Sequence, residues 1–238
     1  MTDKIVNAIS LNHISAGYSG LRALWDVSLN IAEGEFVVVL GVNGAGKSTL
    51  LRCVMGLLPI EEGSLYIYGV DVGHMRPDER VQLGLAYMSE FGIFGLLTVE
   101  NNLRLGGYCE QRSAVKTRLS QIYSMFPELA VKRRTLAASL SGGQRKIVGL
   151  GKCLMSAPRL LLLDEPSAGL APIYVRSVLS ALQQIKDKGY TIIAAEQNVQ
   201  FLTLADRVCV LEAGRVRFYG LPEEIQKNLS LRERLLGI

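Results

Sequence analysis

Gly41–Ser48, GVNGAGKS, is the stretch from which the rest of the sequence is read. It fits GxxxxGK[ST], a pattern in which glycines let the backbone wrap an anion with its N–H groups turned inward. Lys47 adds a charge for the β- and γ-phosphates of a nucleotide, and the Ser48 hydroxyl can bind Mg²⁺. Gly41, Val42, Asn43, Gly44, Ala45, Gly46, Lys47, Ser48 and Thr49 are therefore the candidate phosphate-binding residues. A chance glycine turn would show the same letters, so the context matters. Phe36–Leu40 (FVVVL) is a short β-branched run of the kind buried on both faces of a sheet, and Lys47–Leu58 reads as a helix ending before Pro59. Strand, glycine loop and helix in that order are what the motif requires.

Downstream, Leu160–Glu165 reads LLLLDE: an apolar strand carries two carboxylates to its C-terminal edge, where open α/β sheets bind ligands. Asp164 can hold Mg²⁺, and Glu165 is placed to orient or deprotonate a water attacking the γ-phosphate. Alone, an Asp-Glu pair after leucines is as well explained by a helix cap or a surface turn. Leu140–Gln144, LSGGQ, precedes an apolar-periodic helix, Gly142–Met155. Ser141 is a good N-cap, and Gly142 and Gly143 expose backbone N–H groups. An ordinary capped helix would read the same way. A nucleotide needs one cradle from its own chain, however, so a second suggests a nucleotide shared with another chain.

Strands expected at Ile5–Ile14, Leu24–Ile31, Leu65–Tyr68, Leu85–Met88, Tyr190–Ala195, Arg207–Glu212 and Arg215–Tyr219 alternate with helical stretches. A turn is expected at Gly17–Gly20, and a short helical tail closes the chain. This alternation predicts a mostly parallel α/β core. From about Phe91 to Leu140 the pattern is helical: Val115, Leu119, Ile122, Tyr123 and Phe126 share one face, stopped by Pro127. Hydrophobic residues at 49% and charged residues at 20% exclude disorder. No apolar run approaches the roughly 20 residues of a membrane span, and the N-terminus shows no signal-peptide core, so a cytosolic chain is expected. The net charge of +4 suits an anionic partner, while the tight basic run Lys132–Arg134 reads as a solvated loop or helix end. Cys53, Cys109, Cys153 and Cys209 are far apart in apolar surroundings, and buried free thiols are expected.

Taken in order, AGYSG with Tyr18, GVNGAGKST, LSGGQ and LLLLDEPSAGL resemble the ABC-transporter ATP-binding subunits over essentially the whole length. The resemblance implies a P-loop NTPase core (1–90 and 141–238) with an N-terminal antiparallel β region. An inserted α-helical subdomain, about 91–140, would grip the membrane partner. It implies ATP and Mg²⁺ as cofactors, and two ATPase subunits sandwiching two ATP molecules. Tyr18 would stack on adenine, and Ser141, Gly142, Gly143 and Gln144 would clamp the partner's γ-phosphate. The implied partners are a second ATPase subunit, homologous or identical, and two integral-membrane permease subunits. The implied location is peripheral, on the cytoplasmic face of the inner membrane.

The family usually places a glutamine that binds magnesium where AYMSE has Glu90, and a histidine that contacts the γ-phosphate where AAEQN has Gln197. A carboxylate suits Mg²⁺, and a glutamine donates a hydrogen bond but carries no charge. Ala171 in SAGLAP replaces a usual aspartate. These departures fit either a weakly hydrolysing site or a subfamily. Glu90, DEPSAGLAP, AAEQN and LTVENNL look like the ATPase subunits of branched-chain amino-acid uptake systems and their urea and amide relatives. Among those, the chain resembles the smaller of the two ATPase subunits. Phe91–Leu97, FGIFGLL, is more apolar than the basic stretch expected there. A soluble ABC ATPase acting on DNA or ribosomes generally carries two modules or a long coiled coil. This chain has one module and no basic stripe with interleaved aromatics, so no nucleic-acid partner is expected. A small-molecule phosphotransferase would leave LSGGQ unexplained.

Overall fold

A computed structural model describes residues 7–89 and 92–227. In chain order, β1 (Asn7–Tyr18) and β2 (Leu21–Ala32) form a hairpin, and β3 (Phe36–Leu40) leads through the glycine loop into α1 (Lys47–Met55). Next come β4 (Glu62–Ile67), β5 (Val70–Asp71), α2 (Pro77–Gln82) and β6 (Leu85–Met88). Three helices follow: α3 (Val99–Gly106), α4 (Arg112–Met125) and α5 (Pro127–Val131). Alternation then resumes with α6 (Gly142–Leu154), β7 (Leu160–Asp164), α7 (Pro172–Lys186) and β8 (Thr191–Glu196). The described chain closes with β9 (Arg207–Glu212), β10 (Arg215–Gly220) and α8 (Pro222–Lys227). Most of the expected helical tail lies outside the described residues.

Two sheets result. One is antiparallel in the order β2-β1-β4-β5; the other runs β10-β9-β3-β8-β7-β6, parallel except for the β9–β10 edge pair. The parallel sheet is the middle layer. Phe36, Val38, Leu161, Leu163, Ile192 and Ala194 point into a core with α3, α4, α6 and α7. Val37, Val39, Leu160, Leu162, Ile193 and Ala195 point the other way, against α1 and the antiparallel sheet. A strand sandwiched in this way needs apolar residues at every position, which is why FVVVL and LLLL show no alternation.

Boundaries differ from expectation for local reasons. β1 runs on to Tyr18, because a side chain at Gly17 would strike the Leu21 carbonyl oxygen and only glycine lets the hairpin stay paired there. α1 ends at Met55 rather than Leu58: Gly56 adopts a left-handed conformation (φ 77°), and its N–H caps the Arg52 and Cys53 carbonyls. Pro127 both stops α4 and opens α5 at its first turn. Cys53, Cys153 and Cys209 are buried, and burial pushes each thiol up to about 12. Cys109 corrects the expectation of four buried thiols. It is exposed, because α3 ends at Gly106 and the following turn runs over the surface, with Tyr108 also exposed.

Candidate nucleotide site

Register places the chemistry. Leu40 pairs with Glu196, Asp164 with Ala195, and Leu163 with Met88. The residues that follow β3, β6, β7 and β8 therefore emerge at one edge, the carboxyl ends of the parallel strands.

At that edge the glycine loop is held closely. The Gly41 N–H donates to the Glu196 carbonyl (3.3 Å), and a side chain at Gly41 would collide with the Leu211 carbonyl oxygen. Gly46, at φ 103°, turns the chain into α1, whose first turn carries no acidic residue to compete with a phosphate. Val42, Asn43 and Gly44 are exposed, whereas Ala45, Lys47 and Thr49 are buried. Lys47 is only 3% exposed. Its Nζ donates to the Gly41 (2.9 Å) and Val42 (3.1 Å) carbonyls and lies 3.4 Å from Glu165 Oε1. Ser48 Oγ donates to Asp164 Oδ1 (2.7 Å), and the Tyr87 hydroxyl donates to Asp164 Oδ2 (2.8 Å).

Glu165 has a left-handed backbone (φ 49°), uncommon for a residue with a side chain. Its N–H donates to the Ala195 carbonyl (2.9 Å), and its own carbonyl accepts from Lys146 Nζ (2.9 Å) on α6. Those two bonds hold a conformation that keeps the side chain partly exposed beside Lys47. Gln197, just past β8, is exposed at the same edge.

Glu196 was not singled out in the sequence. It is buried, and its Oε1 accepts from the Ser167 N–H (2.7 Å), which ties the SAGL loop to the end of β8. Its Oε2 accepts from the Gln197 (3.1 Å) and Asn198 (3.3 Å) N–H groups. Burial raises its carboxyl above the ordinary range, and the hydrogen bonds from Ser167, Asn198 and Gln197 oppose that shift. The folded chain thus binds this proton more tightly than the unfolded chain. The group's contribution to stability is fullest below the ordinary carboxylate value and is lost as pH rises through the raised one. Glu196→Gln removes the titration. In urea unfolding, wild-type stability minus mutant stability is expected to fall as pH rises above the ordinary carboxylate value. A constant difference would contradict this.

Ser141 caps α6 as expected, its Oγ accepting from the Gln144 N–H (3.3 Å). The Gln144 Oε1 turns back to accept from the Ser141 N–H (3.2 Å) and from Lys132 Nζ (3.0 Å), completing a capping box. Gly142 and Gly143 have a second role: a side chain on either would press on Leu170 or Tyr174, so α6 packs closely on the SAGLAP segment. Ala171 is the N-cap of α7 and has no side chain with which to cap it. Tyr18 is 40% exposed at the end of β1, and its hydroxyl accepts from Arg52 Nη1 (3.1 Å). Glu90 lies outside the described residues. Tyr87, Arg52 and Lys146 were also unmarked in the sequence. Their partners are distant along the chain, so no local spacing announces them.

Strand, phosphate loop, helix, capped LSGGQ helix and acidic strand end in this order define a P-loop nucleotide-binding cassette. Residues 24–168 match the ABC transporter family. The chain is 36% identical over 231 residues to the high-affinity branched-chain amino acid transport ATP-binding protein BraG of Pseudomonas aeruginosa, covering 96% of this chain and 99% of that one. It is 34% identical to a probable branched-chain amino acid transport ATP-binding protein, LivF, of Archaeoglobus fulgidus, covering 94% of this chain and 97% of that one. A nucleotide-free ATP-binding cassette from an ABC transporter superposes with a TM-score of 0.85 at 25% identity, covering 97% of each chain. The chain belongs to the ABC transporter ATP-binding family, a family of ATP-hydrolysing subunits.

Proposed function

We propose that this chain is the energy-coupling ATPase subunit of a branched-chain amino-acid uptake system. The observation that carries its chemistry is the meeting of four residues at one sheet edge, Lys47 lying 3.4 Å from Glu165 and Ser48 2.7 Å from Asp164. The solute class rests on likeness to BraG and LivF over nearly the full length.

In this reading the N–H groups of residues 41–49 hold the phosphates, and Lys47 exchanges its loop carbonyls and Glu165 for phosphate oxygens. That exchange frees Glu165 to accept the proton of the attacking water. Gln197 donates a hydrogen bond to the γ-phosphate, and Tyr18 stacks on adenine. Ser48 and Asp164, with Glu90 by resemblance, would hold Mg²⁺. These hard oxygen donors are few enough to leave the rest of its shell to phosphates and water. When bound, the ion would neutralise charge developing between the β- and γ-phosphates.

Ser141–Gln144 would close on the nucleotide of a second ATPase subunit, the same chain or a homologue. The core 1–90 and 141–238 would drive the helical stretch 91–140 against two permease subunits, peripheral to the cytoplasmic face of the inner membrane. Among the described residues no helix is long and apolar enough to cross a membrane. The test is uptake of radiolabelled leucine in the cell of origin with the chromosomal copy changed to Glu165→Gln. Leucine uptake is expected to fall to background. Intact leucine uptake with lost urea uptake would move the chain to the urea relatives.

A further inference from the structure

Asp164 is 5% exposed and uses both carboxylate oxygens: Oδ1 accepts from Ser48, and Oδ2 from Tyr87. The second contact follows from the sheet. Tyr87 on β6 pairs with Leu162 on β7, and Asp164, two residues on, points to the same face. A tyrosine is long enough to cross that diagonal and put its hydroxyl on the carboxylate.

The direction of the hydroxyl proton is also set. A carboxylate only accepts, so the proton on this contact is the Tyr87 hydroxyl's, held toward Asp164 Oδ2. Arg52 lies one turn beyond Ser48 on α1, and its guanidinium donates to the Tyr18 hydroxyl (3.1 Å). The linked groups Tyr87–Asp164–Ser48 lie at the proposed metal end of the site, and the pair Arg52–Tyr18 at its proposed adenine end.

We propose that Tyr87 is a positioning residue for magnesium binding, its hydroxyl fixing the Asp164 carboxylate beside Ser48. The proposal rests on the reading that Asp164 and Ser48 take the metal. Partners that orient a ligating carboxylate typically contribute about 10–100-fold to metal affinity.

The test uses the full chain with a non-hydrolysable ATP analogue. Mn²⁺ stands in for Mg²⁺ and is counted by electron paramagnetic resonance. Tyr87→Phe, which removes only the hydroxyl, is expected to weaken Mn²⁺ binding at least about tenfold. Affinity for fluorescent mant-ATP in EDTA is expected to stay within about twofold, since no phosphate or base contact is lost. Asp164→Asn, measured in parallel, is expected to lose more. If Asp164→Asn loses metal and Tyr87→Phe does not, the role of Tyr87 is overturned while the metal reading of Asp164 stands. If Asp164→Asn binds Mn²⁺ as wild type does, the metal reading falls and the proposal with it. An equal loss of nucleotide affinity in EDTA would show that Tyr87 shapes the pocket rather than the metal site, and would also overturn the proposal.

Discussion

Glu165→Gln is expected to keep ATP binding and lose at least about 100-fold of turnover, the contribution typical of a general base. Glutamine matches glutamate in shape, and the backbone bonds that hold residue 165, to the Ala195 carbonyl and from Lys146, do not involve the side chain. The substitution therefore removes basicity while leaving the loop in place. It also dissolves the 3.4 Å pair with Lys47, so the lysine loses a competitor for phosphate and affinity should not fall. Turnover is read by phosphate release at saturating Mg-ATP, and affinity by mant-ATP fluorescence. Near-normal turnover would show that another group activates the water.

Lys47→Ala is expected to weaken nucleotide binding itself by at least about tenfold, the scale of one charge-assisted hydrogen bond lost. The structure sharpens the reason. Lys47 is buried, and its ammonium braces the Gly41 and Val42 carbonyls. The substitution thus deletes the phosphate's counter-charge and loosens the loop whose N–H groups make up the rest of the cradle. It also leaves Glu165 without a cation beside a bound triphosphate, a like-charge arrangement that adds to the loss. A mant-ATP titration measures the effect, and unchanged affinity would show that this loop does not hold the nucleotide.

The sheet core and the phosphate loop were legible in the sequence because each is written in consecutive residues. Phe36–Leu40 and Leu160–Leu163 are apolar at every position because both faces of the parallel sheet are covered. The loop needs its glycines at fixed offsets, and Gly41 and Gly46 occupy positions where backbone contact or φ excludes a side chain. Ser141 was legible as a cap, but the return bond from Gln144 and its tie to Lys132 were not. Glu196 passed as the residue before Gln197, although it gathers three N–H groups at the end of β8. Tyr87 and Arg52 act only because β6 lies beside β7 and α1 lies over them, a juxtaposition that no local pattern encodes. Cys109 is exposed because it sits in a surface turn followed directly by Glu110, Gln111 and Arg112, a polar run that marks it off from the three buried thiols.

In the proposed function, ATP draws two cassettes together, each LSGGQ helix closing on the other's nucleotide. Light scattering on purified Glu165→Gln, with and without Mg-ATP, reads this pairing as a change of mass. The mass is expected to double with Mg-ATP and not without it, and Ser141→Arg in the same background is expected to return it to the monomer. A chain that saturates with Mg-ATP and stays at monomer mass would exclude self-pairing through this site and point to a different, homologous ATPase subunit as its partner.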